Sequence, residues 1–141
     1  MIHLPTAAGG RVEHLVRLGQ PVRLGQPLAR VHPVEGPLEE VCAPLDGVVA
    51  RQRLHGQDAP RYARIVGLTR VVLATMAGRV RWIATLGPVD TTVMVALIEQ
   101  GGCVRPHRAG ISGFVGQRYC RPGERVVAGQ PLLEIRGEEL V

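Results

Sequence analysis

The 141-residue chain contains no lysine, since its 17 lysine-or-arginine positions are all arginines. Without a lysine amine the protein cannot form a Schiff base, use a Walker-type lysine for phosphate, or carry biotin or lipoate in amide linkage. Every function that depends on such an amine is therefore excluded.

Aromatic residues and long apolar runs are also scarce. Only 3% of the residues are Phe, Trp or Tyr, although 45% are hydrophobic, so aliphatic side chains and alanine must build the core. No apolar run reaches the roughly 18 residues of a membrane-spanning helix. Arg79 and Arg81 interrupt the most apolar region, and we predict no membrane span.

The cysteines are odd in number, and none forms a C-x-x-C pair. The spacing of Cys42, Cys103 and Cys120 argues against a disulfide framework and favours a reducing compartment. The first 14 residues lack a basic stretch followed by an apolar one, so no signal peptide is expected. We therefore predict a cytoplasmic protein.

The formal net charge is +5, which attracts anionic partners. Five arginines form a loose basic stretch: Arg51, Arg53, Arg61, Arg64 and Arg70. Arg51 and Arg53 are spaced for one face of a strand, with only Tyr62 nearby as a stacking ring. We interpret this stretch as a solvated surface and keep RNA binding as the alternative.

Two similar segments divide the chain. Residues 10–19 read GRVEHLVRLG and residues 78–87 read GRVRWIATLG, with five identical positions at a shift of 68. The segment APLDGVV returns as AGISGFV at a shift of 66. This repeat predicts two units, residues 1–68 and residues 69–141.

A shorter pattern repeats within the units. Residues 19–31 (GQPVRLGQPLARV) and 123–135 (GERVVAGQPLLEI) share a glycine, a valine and then Gly-Gln-Pro-Leu. Glycine supplies turns with positive φ, and the proline fits a turn or a strand edge. Aliphatic strand-like segments follow, and helical periodicity is absent. We predict an all-β protein with strands of roughly 4–6 residues.

Taken in order, these segments resemble the biotinyl/lipoyl-carrier family, whose fold is a flattened barrel of two sheets called the barrel-sandwich hybrid. In the second unit the matching pieces are MAGRV (76–80), LGPVDTTVMVALIE (86–99), AGISGFV (109–115) and PGERVVAGQPLLEI (122–135). The first unit has AGGRV, LGQPVRLGQPLARV and APLDGVV, followed by a degraded closing segment, GQDAPRYARIVGL. The resemblance implies two tandem barrel-sandwich hybrid domains.

The resemblance also places the carrier positions. The family's modified lysine lies at a hairpin tip shortly before the second half of the domain begins. The corresponding positions here are Gly36 in the first unit and Gly101 or Gly102 in the second, preceded by Glu35 and Glu99. The resemblance therefore implies the fold without the carrier activity, and we expect no cofactor.

Cys103 follows the second tip and is the candidate for an exposed reactive thiol. Such reactivity needs a nearby cation, and Arg105 and His107 are close in sequence. The alternative is a small apolar residue at a strand start. A zinc site built from Cys103, His107 and Cys42 or Cys120 is disfavoured, because residues four apart on a strand lie about 13 Å apart. We predict no metal site.

No G-x-S-x-G, H-E-x-x-H or P-loop motif occurs, and we predict no catalytic residues and no enzyme. Our leading interpretation is a non-catalytic biotinyl/lipoyl-like binding or scaffold module that acts through a protein partner. Its candidate contacts are Glu35, Gly36, Gly101, Gly102 and Cys103. One alternative is an accessory subunit of a biotin-dependent carboxylase, an acyltransferase or an Rnf-type electron-transport complex. The other is an arginine-mediated RNA-binding protein.

Overall fold

The protein is all-β, as predicted. The computed structural model describes residues 1–137, which form fifteen strands and no helix. No helix capable of crossing a membrane therefore exists within that range. The chain divides into two compact units, Met1–Thr69 and Arg70–Val141. The last four residues, with which the second predicted unit ends, lie outside the described residues.

The first unit is built from short strands around one four-stranded sheet. Its strands are β1 (Ile2–Pro5), β2 (Gly10–His14), β3 (Pro21–Val22), β4 (Pro27–His32), β5 (Glu39–Cys42), β6 (Gly47–Gln52), β7 (Asp58–Ala59) and the first part of β8 (Arg64–Leu73). The four-stranded sheet has the order β5-β4-β2-β7. Outside that sheet, β6 pairs with β3 and lies beside β8, which also pairs with β1.

The second unit repeats this arrangement. Its strands are the last part of β8, then β9 (Gly78–Ile83), β10 (Pro88–Val89), β11 (Met94–Gln100), β12 (Cys103–Arg108), β13 (Gly113–Arg118), β14 (Arg125–Val126) and β15 (Pro131–Gly137). The four-stranded sheet has the order β12-β11-β9-β14. Outside it, β15 pairs with β13 and with residues 70–73 of β8, and β10 pairs with β13.

Each unit has its own aliphatic core. Leu28, Ile65 and Leu68 are fully buried in the first unit, and Ile98 and Leu132 are fully buried in the second. Burying one such side chain stabilises a fold by roughly 1.5–3 kcal/mol. The four aromatic residues are all exposed instead: Tyr62, Trp82, Phe114 and Tyr119. The expectation of an aliphatic core is thus confirmed.

Four of the six glycines that are identical between the repeats stand where the backbone of another strand comes too close for a side chain. A Cβ atom at Gly10 would lie 2.6 Å from a carbonyl oxygen of β4, and one at Gly78 would lie 2.5 Å from a carbonyl oxygen of β11. At Gly47 and Gly113 the corresponding distances to a carbonyl oxygen are 2.5 and 2.1 Å. At these four positions the identity between the units therefore reflects close backbone approach, whereas a Cβ at Gly19 or Gly87 would meet no atom within 4 Å.

The Gly-Gln pattern forms one kind of turn in both units. Gly25 and Gly129 have φ values of 85° and 87°, in the left-handed region that glycine adopts without strain. The N–H of Gly25 donates to the carbonyl oxygen of Ala43 (2.7 Å), and the N–H of Ala43 donates back to Gln26 (2.9 Å). Gly129 is bonded in the same way to Ala74 (2.7 Å). Each turn is thereby tied to the segment that faces it.

The degraded closing segment of the first unit keeps this turn without a glycine. Tyr62 has a φ of 63° and donates its N–H to the carbonyl oxygen of Thr6 (2.9 Å). Thr6 in turn donates to Ala63 (2.9 Å), which completes the reciprocal pair. A non-glycine residue in this region costs about 1 kcal/mol. The backbone of the two units is therefore more alike than their sequences.

The steric role of the repeated glycines is testable at Gly78. We expect Gly78→Ala to lower the free energy of unfolding by about 1–3 kcal/mol, because its methyl group would overlap a carbonyl oxygen of β11. Gly87→Ala is the matched control, since a Cβ there meets no atom within 4 Å. Urea denaturation of both variants measures the difference. Equal midpoints for the two would contradict this explanation.

Candidate partner-binding site

The second predicted tip is a two-residue hairpin turn. Gln100 at the end of β11 pairs with Cys103 at the start of β12, so Gly101 and Gly102 form the whole connection. Their φ values are 57° and 81°, and a two-residue turn with both central φ values positive is the type I′ turn favoured in hairpins. A Cβ atom at either glycine would meet no atom within 4 Å. This tip therefore offers bare backbone to solvent.

The first predicted tip is a longer loop between β4 and β5. Glu35 and Gly36 are exposed there, and Gly36 has a φ of 98°. Val34 beside them is 99% exposed. A Cβ at Gly36 would meet no atom within 4 Å. Both tips are therefore accessible, but they differ in length and in the side chains that they present.

A groove of about 390 Å³ borders the second tip. Its lining includes Gly78, Arg79, Glu99, Gly101, Arg125 and Val127. Val127 is an apolar side chain that is 64% exposed. The groove could not be predicted from the sequence, because Arg79 and Arg125 are far apart in the chain and meet only through strand pairing.

Two arginines face each other in this groove. Arg125 on β14 is the direct cross-strand partner of Arg79 on β9. Like charges in such positions destabilise a sheet. Glu99 lies opposite Arg79 on the other side, but its carboxylate accepts a hydrogen bond from Arg81. Within residues 1–137, the two facing guanidinium groups have no carboxylate bonded to them.

The equivalent position in the first unit carries the opposite charge. There Arg11 on β2 faces Asp58 on β7. In the turn before β7, the N–H of Gly56 donates to the carbonyl oxygen of Val12 (2.8 Å). In the second unit the turn before β14 makes the same bond from Gly123 (2.7 Å), and the register of the two strand pairs is therefore equivalent. One repeat therefore places opposite charges, and the other like charges, at the same backbone positions, although among the described residues no ion pair joins Arg11 to Asp58.

An apolar row crosses the sheet that carries the groove. Trp82 on β9 lies opposite Leu97 on β11, which lies opposite Pro106 on β12. Trp82 is 41% exposed, and Val104 on β12 is also exposed. Exposed aromatic side chains are enriched in protein–protein interfaces. The groove is thus accompanied by apolar surface on the same sheet.

The structure separates the predicted thiol from its neighbouring imidazole. Cys103 is exposed, whereas the His107 side chain is buried. The Nε2 atom of His107 accepts the backbone N–H of Thr75 (3.0 Å), and its Nδ1 atom lies 3.3 Å from the carbonyl oxygen of Arg105. His107 is therefore a neutral imidazole that donates from Nδ1. Among the described residues, no group of three or more His, Cys, Asp or Glu side chains is placed to hold a metal ion.

The remaining two cysteines occupy contrasting environments. Cys42 is exposed, and Cys120 is buried with its Sγ atom 3.7 Å from the carbonyl oxygen of Leu132. Burial raises the pKa of the Cys120 thiol above its ordinary value. Cys120 is thus an apolar core residue rather than a nucleophile.

Comparisons of the chain with protein-family models, with curated proteins and with solved structures found no match. The biotinyl/lipoyl-like assignment therefore stays a prediction. It depends on the residues quoted above and on the hairpins that carry Gly36, Gly101 and Gly102.

The burial of His107 predicts a pH dependence of stability. Desolvation by burial is the main cause that lowers the pKa of this imidazole below its ordinary value; the hydrogen bond to the Arg105 carbonyl opposes it, and the charge of Arg105 lowers the pKa further. The unfolded chain consequently binds a proton more readily than the folded one. Stability is retained above the unfolded pKa of about 6.5 and is lost as pH falls towards the lowered folded pKa.

We therefore expect the wild-type protein to lose stability between about pH 7.5 and pH 5.5. His107→Gln removes this titration and keeps an acceptor for the N–H of Thr75, so its stability should depend less on pH. Urea denaturation across that range compares the two. Parallel pH profiles would show that His107 does not contribute.

Proposed function

We propose that this protein is a non-catalytic binding module that captures a protein partner at the second tip and in the groove beside it. The observation that carries the proposal is the facing pair Arg79 and Arg125. Like charges at facing strand positions are unfavourable in a sheet, and a carboxylate bound between the two arginines would offset that repulsion. The opposite charges of Arg11 and Asp58 at the equivalent position support a specific role for the arginine pair in the second unit.

The groove favours a particular kind of partner. The arginines match acidic side chains, because guanidinium and carboxylate groups form bidentate hydrogen bonds. Val127 and Trp82 add apolar surface, and the bare backbone of Gly101 and Gly102 permits close approach of another chain. The partner we propose is a protein segment that carries Asp or Glu next to apolar residues.

The likeness to biotinyl/lipoyl carriers is part of this proposal. Its support is the internal repeat, the pair of units with one four-stranded sheet each, and the glycine-bearing hairpins at the positions of the carrier lysine. A lysine-free module of this kind acts through contact rather than through a bound cofactor. Membership in a carboxylase, acyltransferase or Rnf-type complex is a special case of the same function, and identification of the partner decides it.

Arg125→Asp tests the arginine pair directly, because it gives the second unit the charges of the first. We expect this variant to gain about 0.2–1 kcal/mol of stability from the new cross-strand attraction. Capture of the partner should fall at least about tenfold, because an acidic segment would now be repelled. Urea denaturation and affinity capture followed by quantitative mass spectrometry give the two readouts.

Arg121→Asp is the control for Arg125→Asp, since Arg121 is exposed in the same unit and lies outside the groove. It makes the same change in net charge and should leave capture unchanged. If both variants lost capture of the partner equally, the change in net charge would explain the effect. Full capture by Arg125→Asp would overturn the proposed site.

The tip is tested with asparagine, which tolerates positive φ better than other residues with a side chain. We expect Gly101→Asn with Gly102→Asn to weaken capture of the same partner, because two side chains would cover the backbone that the partner approaches. The thermal midpoint should change little, since a Cβ at either position meets no neighbour. Gly36→Asn makes the same substitution at the first tip and should retain capture. Retained capture by the double variant would show that the partner avoids the second tip.

A further inference from the structure

A small basic cavity in the first unit lies apart from the proposed partner site. Its volume is about 110 Å³, and it is lined by His3, Arg51, Arg53 and Arg64 above Ile65 and Val66. Three guanidinium groups around one cavity repel one another. Because Arg51, Arg53 and Arg64 are all exposed, a ligand can reach them from solvent.

Strand pairing brings these residues together. Arg51 is near the end of β6, Arg53 follows that strand, and Arg64 is the first residue of β8. The backbone N–H of Arg53 donates to the carbonyl oxygen of Ile65 (2.9 Å), which ties the segment after β6 to β8. The three side chains therefore start from the same end of two neighbouring strands.

The Met1 side chain packs against Gly67 next to the cavity. A Cβ at Gly67 would lie 2.6 Å from the Sδ atom of Met1 and 3.1 Å from the Cβ of Arg51. His3 on β1 is the register partner of Gly67. The missing side chain at Gly67 therefore makes room for Met1 beside Arg51.

The arginines of the cavity lack acidic partners. Within residues 1–137, the guanidinium groups of Arg51, Arg53 and Arg64 make no ion pair and no hydrogen bond with a carboxylate. Two arginines of the second unit do have such a bond, Arg81 to Glu99 and Arg136 to Glu134. The cavity therefore holds a local excess of positive charge without a counter-charge from the protein.

The size and the donors of the cavity match a phosphate group. The cavity volume of about 110 Å³ admits several waters and is therefore large enough for a tetrahedral oxyanion. Guanidinium groups donate two parallel hydrogen bonds to such an anion.

From these observations we infer that the first unit binds a phosphate group through Arg51, Arg53 and Arg64, with His3 beside them. The ligand is a free phosphate or phosphate ester, or the phosphodiester backbone of a nucleic acid. The same guanidinium chemistry recognises both sources. This site lies in a different unit from the proposed partner groove, so either proposal can fail without the other.

The test uses the full chain and inorganic phosphate as the probe in isothermal titration. We expect saturable binding to wild-type protein and a loss of about tenfold or more in Arg51→Gln with Arg64→Gln. Arg17→Gln with Arg23→Gln is the control, because these arginines are exposed in the same unit, lie outside the cavity and carry the same charge. The control should bind as the wild type does.

A lysine pair separates geometry from charge. Arg51→Lys with Arg64→Lys keeps the net charge but cannot donate bidentate hydrogen bonds from one planar group, so its phosphate affinity should also fall. Thermal unfolding checks that each variant is folded. Three outcomes would each overturn the proposal. The first is wild-type phosphate affinity in Arg51→Lys with Arg64→Lys. The second is a loss of affinity in the control pair as large as that in the glutamine pair, and the third is a wild-type protein that binds neither phosphate saturably nor RNA.

A short single-stranded RNA, titrated over a range of salt concentrations, identifies the source of the phosphate. RNA binding that the glutamine pair loses and the control pair keeps assigns the site to a nucleic-acid backbone, with a salt dependence that falls as arginines are removed. Phosphate binding without RNA binding assigns it to a free phosphate or a small phosphate ester. A defined site is contradicted if the protein does not bind inorganic phosphate and if the glutamine pair and the control pair weaken RNA binding equally.

Discussion

The strand register within each unit is set by reciprocal pairs of backbone hydrogen bonds. Each pair joins a left-handed turn to the segment that faces it. Gly25 with Ala43, Gly129 with Ala74 and Tyr62 with Thr6 all use this arrangement. A slip of one residue would turn a strand's apolar side chains from the core to solvent. The bond from Gly123 to Val80 (2.7 Å) acts in the same way beside β14, so the groove of the second unit depends on it.

Charge differs between the repeats where their backbones coincide. Arg11 faces Asp58, and Arg79 faces Arg125. If these residues served only the stability of the fold, opposite charges would be favoured at both places, because cross-strand pairs of opposite charge stabilise a sheet. The repulsive pair stands instead beside an exposed tip and a groove. This contrast within one chain is the strongest argument that the second unit binds an anionic group of a partner.

The surface chemistry of the protein follows from two shortages. Arginine is the sole strong cation, so each basic contact is planar and suited to bidentate recognition of carboxylate or phosphate. The four aromatic rings are all exposed, while aliphatic side chains fill the cores. Trp82 is thereby available on the sheet that carries the groove. Both features favour binding to other molecules over covalent carriage of a cofactor.

Much of the fold was predictable because local patterns carry their own physics. Gly-Gln-Pro-Leu predicted turns followed by strands, since positive φ and a missing proline N–H constrain the backbone directly, and β4 and β15 begin at Pro27 and Pro131. The family resemblance placed the two tips, and glycine suits such turns because it adopts positive φ without strain. The absence of lysine excluded amine chemistry without any coordinates. These conclusions need only neighbours in the chain.

The basic cavity, the arginine pair and the buried His107 were not predictable, because each depends on strands that are distant in sequence. Arg79 meets Arg125 only through the pairing of β9 with β14, and His107 is bonded to Thr75, 32 residues away. Residue type shows that a charge or an imidazole exists. Which groups face one another depends on register and on burial, and these arise only when the whole chain packs.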